Sequence, residues 1–513
     1  MNRLEDYAIK KVAKGGFYIF LGMAISAITF FLYKILAARY LGPADYGLLT
    51  LGIIILNIAT IFGLAGIHHS IGMLINYYFA EKDYSKIKGL LISSFLITTL
   101  LSIIIAALIY LFSSSISIRI FGMPELSRII FVFSIAVPFS AITQLLKYYF
   151  YAFKQPQLAI ISESFFEKTL NLVFLILVIM LSADVYAISW GYAASLLISS
   201  IAGFYIFNRQ QRNFTKKKVN AEYEIKNMLA FSTPLMITGV MSVAIAWTDT
   251  IFIGIFKSQA DVGIYNAAYV IASSLMIFWL SFGDIFYPVI SELHAKKLIN
   301  PIRKTFETAT RWVFALIVPI SIVSLLYPKR ILSLVFGSLY AQASIPLVIL
   351  IIGYFFTAFF GLAEHGLRTF KKTKFLGIWS TIGFLINIAL NIILIPLYGI
   401  TGAAIATTIT LLTVNLVKFI YFRRILKFGF DKKIYAKYIM SALISFLIVF
   451  SAVKLTGLDD TFYFMFAIIL YLIIYAFISI MLKSFTEDDI EVLDSIERKI
   501  GIKFTLIKNL VRK

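Results

Sequence analysis

Apolar residues run along this chain in long blocks separated by short polar stretches. Each block is about as long as the ~20 mostly apolar residues a helix needs to cross a bilayer. The pattern predicts helices at 16–39, 47–78, 89–111, 128–150, 158–181, 186–207, 228–256, 262–290, 307–327, 345–366, 375–396, 402–422, 436–455 and 461–482, about fourteen in all. The longest hydrophilic connection, 208–227, leaves no room for a soluble domain. The first apolar run, from Phe17, is long enough to span, so it reads as a retained helix and not a cleaved leader.

Composition agrees with lipid as the solvent. Of 513 residues, 60% are hydrophobic and 14% charged. Soluble domains average roughly 45–50% and ~25%. Mean hydropathy is +0.90. The net charge of +21 would suggest nucleic acid in a soluble protein, but its placement says otherwise. With the N-terminus in the cytoplasm, 37 of the 47 lysines and arginines fall on the inner side, 7 outside, and Lys34, Lys168 and Lys418 within helices. That asymmetry is the positive-inside pattern, facing anionic headgroups. It predicts both termini in the cytoplasm of a multi-pass cell-membrane protein with membrane lipids, not nucleic acid, as surroundings. There is no cysteine, which excludes disulfides, thiolate metal sites and a cysteine nucleophile.

The chain also repeats itself. Ala44-Asp45-Tyr46-Gly47 recurs as Ala260-Asp261-Val262-Gly263, and Asn171 as Asn387, both at an offset of 216; Phe153-Lys154 recurs as Phe370-Lys371 at 217. A six-helix unit, duplicated in the same membrane orientation, accounts for this. The predicted organisation is a bundle at 1–208, a cytoplasmic linker at 209–227, a second bundle at 228–424, two added helices at 425–483 and a tail at 484–513. The tail opens Thr486-x-x-Asp489, crowds acids into its first turn and aligns Ile490, Leu493, Ile496 and Ile500. It reads as an amphipathic helix on the cytoplasmic surface or packed on the loops.

The stretch Ala38-Arg39-Tyr40-Leu41-Gly42-Pro43-Ala44-Asp45-Tyr46-Gly47-Leu48 and its partner Ala260-Asp261-Val262-Gly263-Ile264-Tyr265-Asn266-Ala267-Ala268 resemble the polysaccharide-flippase (Wzx-type) family. That family sits in the multidrug/oligosaccharidyl-lipid/polysaccharide (MOP) exporter superfamily. The resemblance implies two six-helix bundles in a V around a central cavity. It also implies passage of a lipid-linked oligosaccharide from the inner to the outer leaflet by alternating access. The cargo would be an isoprenoid phosphate or diphosphate glycan for surface polysaccharide or glycoprotein.

Ionisable side chains within spanning helices cost ~2.5–3.5 kcal/mol on insertion scales and so face a cavity or a partner. The candidates are Lys34, His68, His69, Lys147, Glu163, Glu167, Lys168, Asp249, Asp284, Glu364, His365 and Arg368. The repeat pairs Lys34 with a position next to Asp249, His68 with Asp284, and Lys147 with Glu364. At each pair the first half carries a cationic or titratable group and the second a carboxylate. One reading makes Lys34, His68, Lys147, Lys168 and Arg368 a wall for the substrate's phosphates. Glu163, Glu167, Asp249, Asp284 and Glu364 would then hold a coupling ion (Na+ or H+) or sugar hydroxyls. The other reading has these groups neutralise one another as structural pairs. No catalytic or metal constellation and no other cofactor is predicted, and the chain is expected to act as a monomer. A cation-coupled drug antiporter should show an acidic N-terminal cavity, whereas this half is mainly basic apart from helix 5. A membrane glycosyltransferase or polymerase needs an acidic site in a long loop, and none occurs.

Overall fold

A computed structural model of the chain describes residues 3–211, 220–429, 431–456 and 461–484, with side chains except at 3–24, 163–165, 234–235, 237–246, 284–285, 455–456 and 461–462. Among the described residues the protein is helical throughout, without strands. Eleven helical stretches are long and apolar enough to cross a membrane. The first, Ile25–Glu81, contains two of the expected spans. The expected spans 16–39, 158–181, 228–256, 262–290, 436–455 and 461–482 each include side chains outside the described residues. The expected tail beyond Ser484 and the linker stretch 212–219 lie outside them as well.

The chain forms two compact units, divided between Asn266 and Ala267. The first contains α1 (Arg3–Leu64), α2 (Ile67–Glu81), α3 (Tyr84–Ser115), α4 (Leu126–Ala152), α5 (Pro156–Ala159), α6 (Phe166–Met180), α7 (Val185–Gln210), α8 (Ile225–Phe256) and the start of α9 (Gln259–Ser273). Where the sequence suggests a short connection at 40–46, the helix runs on through a single corner. Gly42, at φ 72°, ψ 177°, supplies a backbone conformation that a side chain would oppose, and Pro43 fits the first position of the continuing helix.

The expected span 47–78 is not continuous. It breaks at Ala65 (φ 45°) and Gly66 (φ 73°), and α2 begins after the break. Close packing favours glycine here: a Cβ at Gly66 would stand 2.3 Å from the Ser232 carbonyl oxygen of α8. The hydroxyls of Ser70 and Ser232 hydrogen-bond across the same contact at 2.7 Å.

The repeated motifs meet each other inside this unit. A Cβ at Gly47 would stand 1.8 Å from the Gln259 carbonyl oxygen, and one at Gly263 would stand 2.1 Å from that of Pro43. Pro43 and Gln259, like Gly47 and Gly263, are 216 positions apart, so the contact is reciprocal. Backbone therefore lies on backbone, as small residues allow at membrane helix interfaces. Tyr46 closes the contact by donating its hydroxyl to Asn266 Oδ1 at 2.9 Å.

The second unit comprises the rest of α9, α10 (Met276–Ala295), α11 (Ile299–Leu326), α12 (Pro328–Phe336), α13 (Ser344–Phe360), α14 (Leu362–Thr369), α15 (Thr373–Tyr398), α16 (Ile400–Leu426), α17 (Lys432–Thr456) and α18 (Thr461–Met481). The expected span 262–290 is likewise broken, between α9 and α10. The added pair α17 and α18 docks on α11, where Phe314, Val318 and Val323 meet Tyr438, Val449, Phe450, Tyr471 and Tyr475. Pro319 within α11 has no N–H to give the carbonyl four residues earlier. The Tyr475 hydroxyl donates to that carbonyl, Ala315 O, at 2.7 Å.

Helix ends show one further regularity. Six of the eight described non-glycine residues at positive φ are lysines: Lys82, Lys154, Lys297, Lys371, Lys427 and Lys483. All lie in segments that the charge count assigns to the cytoplasm. At Lys154 and Lys371, which are repeat partners, the lysine N–H returns to the carbonyl three residues back and the next N–H to the one five before it. This satisfies carbonyls that the ending helix leaves free, and places a cation at the negative end of the helix dipole.

Candidate functional site

In the first unit, the corner at Gly42 folds the second arm of α1 back beside the first. This sets Tyr46 against Lys34, whose ammonium lies 5.8 Å from the Tyr46 ring centre and 5.7 Å from that of Phe30. Lys34 is only 8% exposed. Its described contacts are these two rings, with no ion pair or hydrogen bond among them. Lys168 approaches the same Phe30 ring at 5.4 Å. Lys168 is paired: its ammonium is 2.8 Å from Oε1 of buried Glu167. Two ammonium groups thus approach one phenylalanine, and the described carboxylate, Glu167, pairs with one of them. The Glu163 side chain, one turn from Glu167, lies outside the described residues. A buried ammonium is favourable only where a counter-charge or polar groups replace water, and aromatic faces supply part of that.

Asp249 of α8 is also buried, and accepts a hydrogen bond from the Tyr265 hydroxyl at 2.7 Å. Tyr265 neighbours Asn266, the Tyr46 partner, so the two hydrogen bonds reach adjacent residues of α9.

A second group gathers at the break in α1–α2. His68 and His69 occupy the first turn of α2, where backbone N–H groups lack helical acceptors. Their rings lie 4.0 Å apart and pack on Tyr148 at 4.8 and 5.2 Å. His68 is 8% exposed, and its Nδ1 has no hydrogen-bond partner. Half-buried Lys147 of α4 lies within electrostatic range of His68. At 1.5 Å per residue, Lys34 and His68 sit roughly 25 Å apart along the folded-back helix, so these are separate stations.

In the second unit one carboxylate draws two cations. Glu364 of α14 holds Arg368 one turn on through Oε1 at 2.5 Å, and Lys418 of α16 through Oε2 at 3.0 Å. Lys418 is buried, and sequence reading left it aside as merely intrahelical. Arg368, expected to face substrate phosphate, is engaged by Glu364. The side chain of Asp284 lies outside the described residues. Its neighbour Gly283 packs against His365, whose Nε2 is 2.3 Å from where a Cβ would be. The His365 ring lies among Trp279 and Tyr287.

A polar ladder in the second unit has only one member visible in the sequence repeat. Asn391 donates to Asn387 Oδ1 at 3.1 Å, and Asn387 to the Thr407 hydroxyl at 3.5 Å. Its repeat partner Asn171 accepts from the Ser195 hydroxyl at 2.5 Å. In both copies the matched asparagine ties a helix to the next one along.

A family model described as "Polysaccharide biosynthesis protein" matches residues 12–294, and one described as "MatE" matches 234–393. An uncharacterized membrane protein of Methanocaldococcus jannaschii is 24% identical over 470 residues, spanning 88% of this chain and 90% of that protein. A probable low-salt glycan biosynthesis flippase, Agl15 of Haloferax volcanii, is 22% identical over 51% of this chain and 56% of its own length. The structure of the lipid II flippase MurJ in an inward closed conformation superposes with a TM-score of 0.69 at 16% identity, over 90% of this chain and 97% of that one. The shared fold is that of the MOP transporters.

Proposed function

Because this chain belongs to the polysaccharide biosynthesis protein family of the MOP superfamily, we propose that it carries a lipid-linked oligosaccharide from the cytoplasmic to the external leaflet by alternating access. The observation that carries this reading is Lys34, a buried ammonium with aromatic walls and no acid partner among the described residues. A phosphate or diphosphate crossing hydrocarbon needs fixed positive charge, because lipid cannot hydrate it. Lys34, with Lys168 beside it, offers that charge at one depth; Lys147, with His68 near it, offers it at another. The glycan takes a hydrated path, and the isoprenoid stays in lipid. Both termini lie in the cytoplasm, and the chain works as a monomer without bond chemistry. Glu163, Glu167, Asp249 and Asp284 are the groups that would couple transport to Na+ or H+, while Glu364 and Arg368 serve the ion-pair network with Lys418.

The test is flipping of a fluorescent isoprenoid-diphosphate oligosaccharide in proteoliposomes. Lys34→Gln should lower the rate about 100-fold, the weight of one lost charge-assisted contact in a dry site. Lys34→Arg should recover part of it. Unchanged flipping by Lys34→Gln would defeat the proposal. The MatE match over 234–393 favours a second reading, a cation-coupled drug antiporter. That reading expects Lys34→Gln to leave substrate export intact and Asp249→Asn to abolish its dependence on an ion gradient.

A further inference from the structure

A cavity of about 650 Å3 opens at one end of the first unit, where α3 ends and α4 and α7 begin. This is the end opposite the turns at Lys82 and Lys154. We propose that it binds the anionic phosphate headgroup of a lipid in the external leaflet, with Arg128 as the phosphate ligand and the aromatic wall holding the first part of the chain. The inference is independent of the transport reading above, since it needs only the membrane and the orientation.

Three helices each give the cavity one face at helical spacing: Tyr110 with Ser113 and Ser114 on α3, Arg128 with Phe131 on α4, and Tyr186 with Trp190 on α7. Residues three and four apart share a helix face, so the convergence is built into the sequence. Arg128 is exposed, and its guanidinium lies 5.5 Å from the Tyr186 ring centre. That ring contact is its described interaction; no carboxylate pairs with it. Basic residues are scarce at this end of the protein, only 7 of 47 by the charge count, so an arginine without an acid partner here is a marked feature. Its planar fork of N–H donors fits phosphate oxygens two at a time. The Ser114 and Ser127 hydroxyls, 3.2 Å apart, add polar atoms at the rim. Below them the rings of Tyr110 and Phe131 pack at 5.3 Å, and Trp190 stays 48% exposed. Tyr and Trp are enriched at membrane interfaces in general, but that belt requires neither a concave pocket nor an unpaired cation. A cationic rim over an aromatic floor suits an amphiphile with an anionic head. Two lipids share that chemistry: an ordinary anionic phospholipid and an isoprenoid phosphate.

The experiment uses the full chain in nanodiscs, with Trp247, Trp279, Trp312 and Trp379 replaced by phenylalanine so that Trp190 alone reports. Dibrominated phosphatidylglycerol should quench Trp190 at about ten-fold lower mole fraction than dibrominated phosphatidylcholine, the factor a good charged contact supplies. Arg128→Gln should erase the difference, and Arg128→Lys should keep part of it. Relief of quenching by added farnesyl phosphate would assign the pocket to isoprenoid phosphates as well as phospholipid; no relief would assign it to phospholipid. Native mass spectrometry of the unmodified-tryptophan protein provides a second reading, in which phosphatidylglycerol retention falls in Arg128→Gln alone. Equal quenching by the two brominated lipids, or a preference unchanged in Arg128→Gln, would overturn the proposal.

Discussion

Two buried charge clusters, one in each unit, are built differently. Around Lys34 the first unit buries an ammonium beside two aromatic rings, with no acid paired to it among the described residues. Around Glu364 the second unit surrounds one carboxylate with two cations. One cluster leaves its ammonium without a described acid, and the other pairs its cations. A paired intramembrane charge explains itself through its partner. An unpaired one is costly by itself, and its persistence points to something that arrives and leaves. The units also cohere differently. The first brings bare backbone together at Gly47 and Gly263, while the second adds a helix pair whose tyrosine hydroxyl finds a carbonyl that proline has freed.

This contrast can be broken most forcefully at Glu364. Glu364→Gln strands Lys418, a buried ammonium, and should cost about 3–5 kcal/mol of stability. The loss should show as a lowered unfolding midpoint in detergent and be largely recovered by adding Lys418→Met. Lys34→Gln should leave the midpoint unchanged or higher, because no partner is stranded. A stable Glu364→Gln variant with altered ion dependence would instead return Glu364 to a coupling role.

The glycine contact comes next. Gly47→Ala forces a Cβ into the Gln259 carbonyl and should destabilise by roughly 1–3 kcal/mol. Gly263→Ala should do the same, and the two together should cost less than their sum, because one separation of the helices relieves both. Gly377→Ala, with no atom within 4 Å of the added methyl, is the control and should be neutral or slightly stabilising. Removing the hydroxyl at Tyr475 (Tyr475→Phe) orphans Ala315 O and should cost roughly 1–2 kcal/mol. Limited proteolysis between α17 and α18 should reveal that loosening before global unfolding.

The smallest effect sharpens the comparison by its sameness. Lys154 and Lys371 close equivalent helices in the two units at φ 58° and 57°. Glycine at either position removes the left-handed penalty and should raise stability by roughly 0.5–1 kcal/mol. Equal gains would show that the two copies use one turn; a gain at only one would show that they have diverged.

Much of this was legible in the sequence because hydrophobic length, charge bias and repeat spacing are local or cumulative signals. The apolar blocks locate the helices, and Lys34 stands out as a charge inside one. The break at Ala65–Gly66 was not legible, because an alanine and a glycine in an apolar run look like ordinary packing residues. The α8 backbone against which Gly66 packs lies some 170 positions away. The pairing of Lys418 with Glu364 across 54 positions and of Tyr46 with Asn266 across 220 is equally a product of tertiary proximity. Arg128 escaped notice for a different reason: it was counted as a loop charge, and only the convergence of three helices makes it part of a cavity.

In the proposed mechanism Lys34 keeps its charge for a lipid-borne phosphate. The most direct test is equilibrium binding of a short-chain isoprenoid diphosphate to the purified full chain, in an Arg128→Gln background that removes the external pocket. Lys34→Gln should weaken binding at least about ten-fold, Lys34→Arg should restore most of it, and rising salt should narrow the gap. Equal affinity for the lysine and glutamine forms at low salt would contradict it.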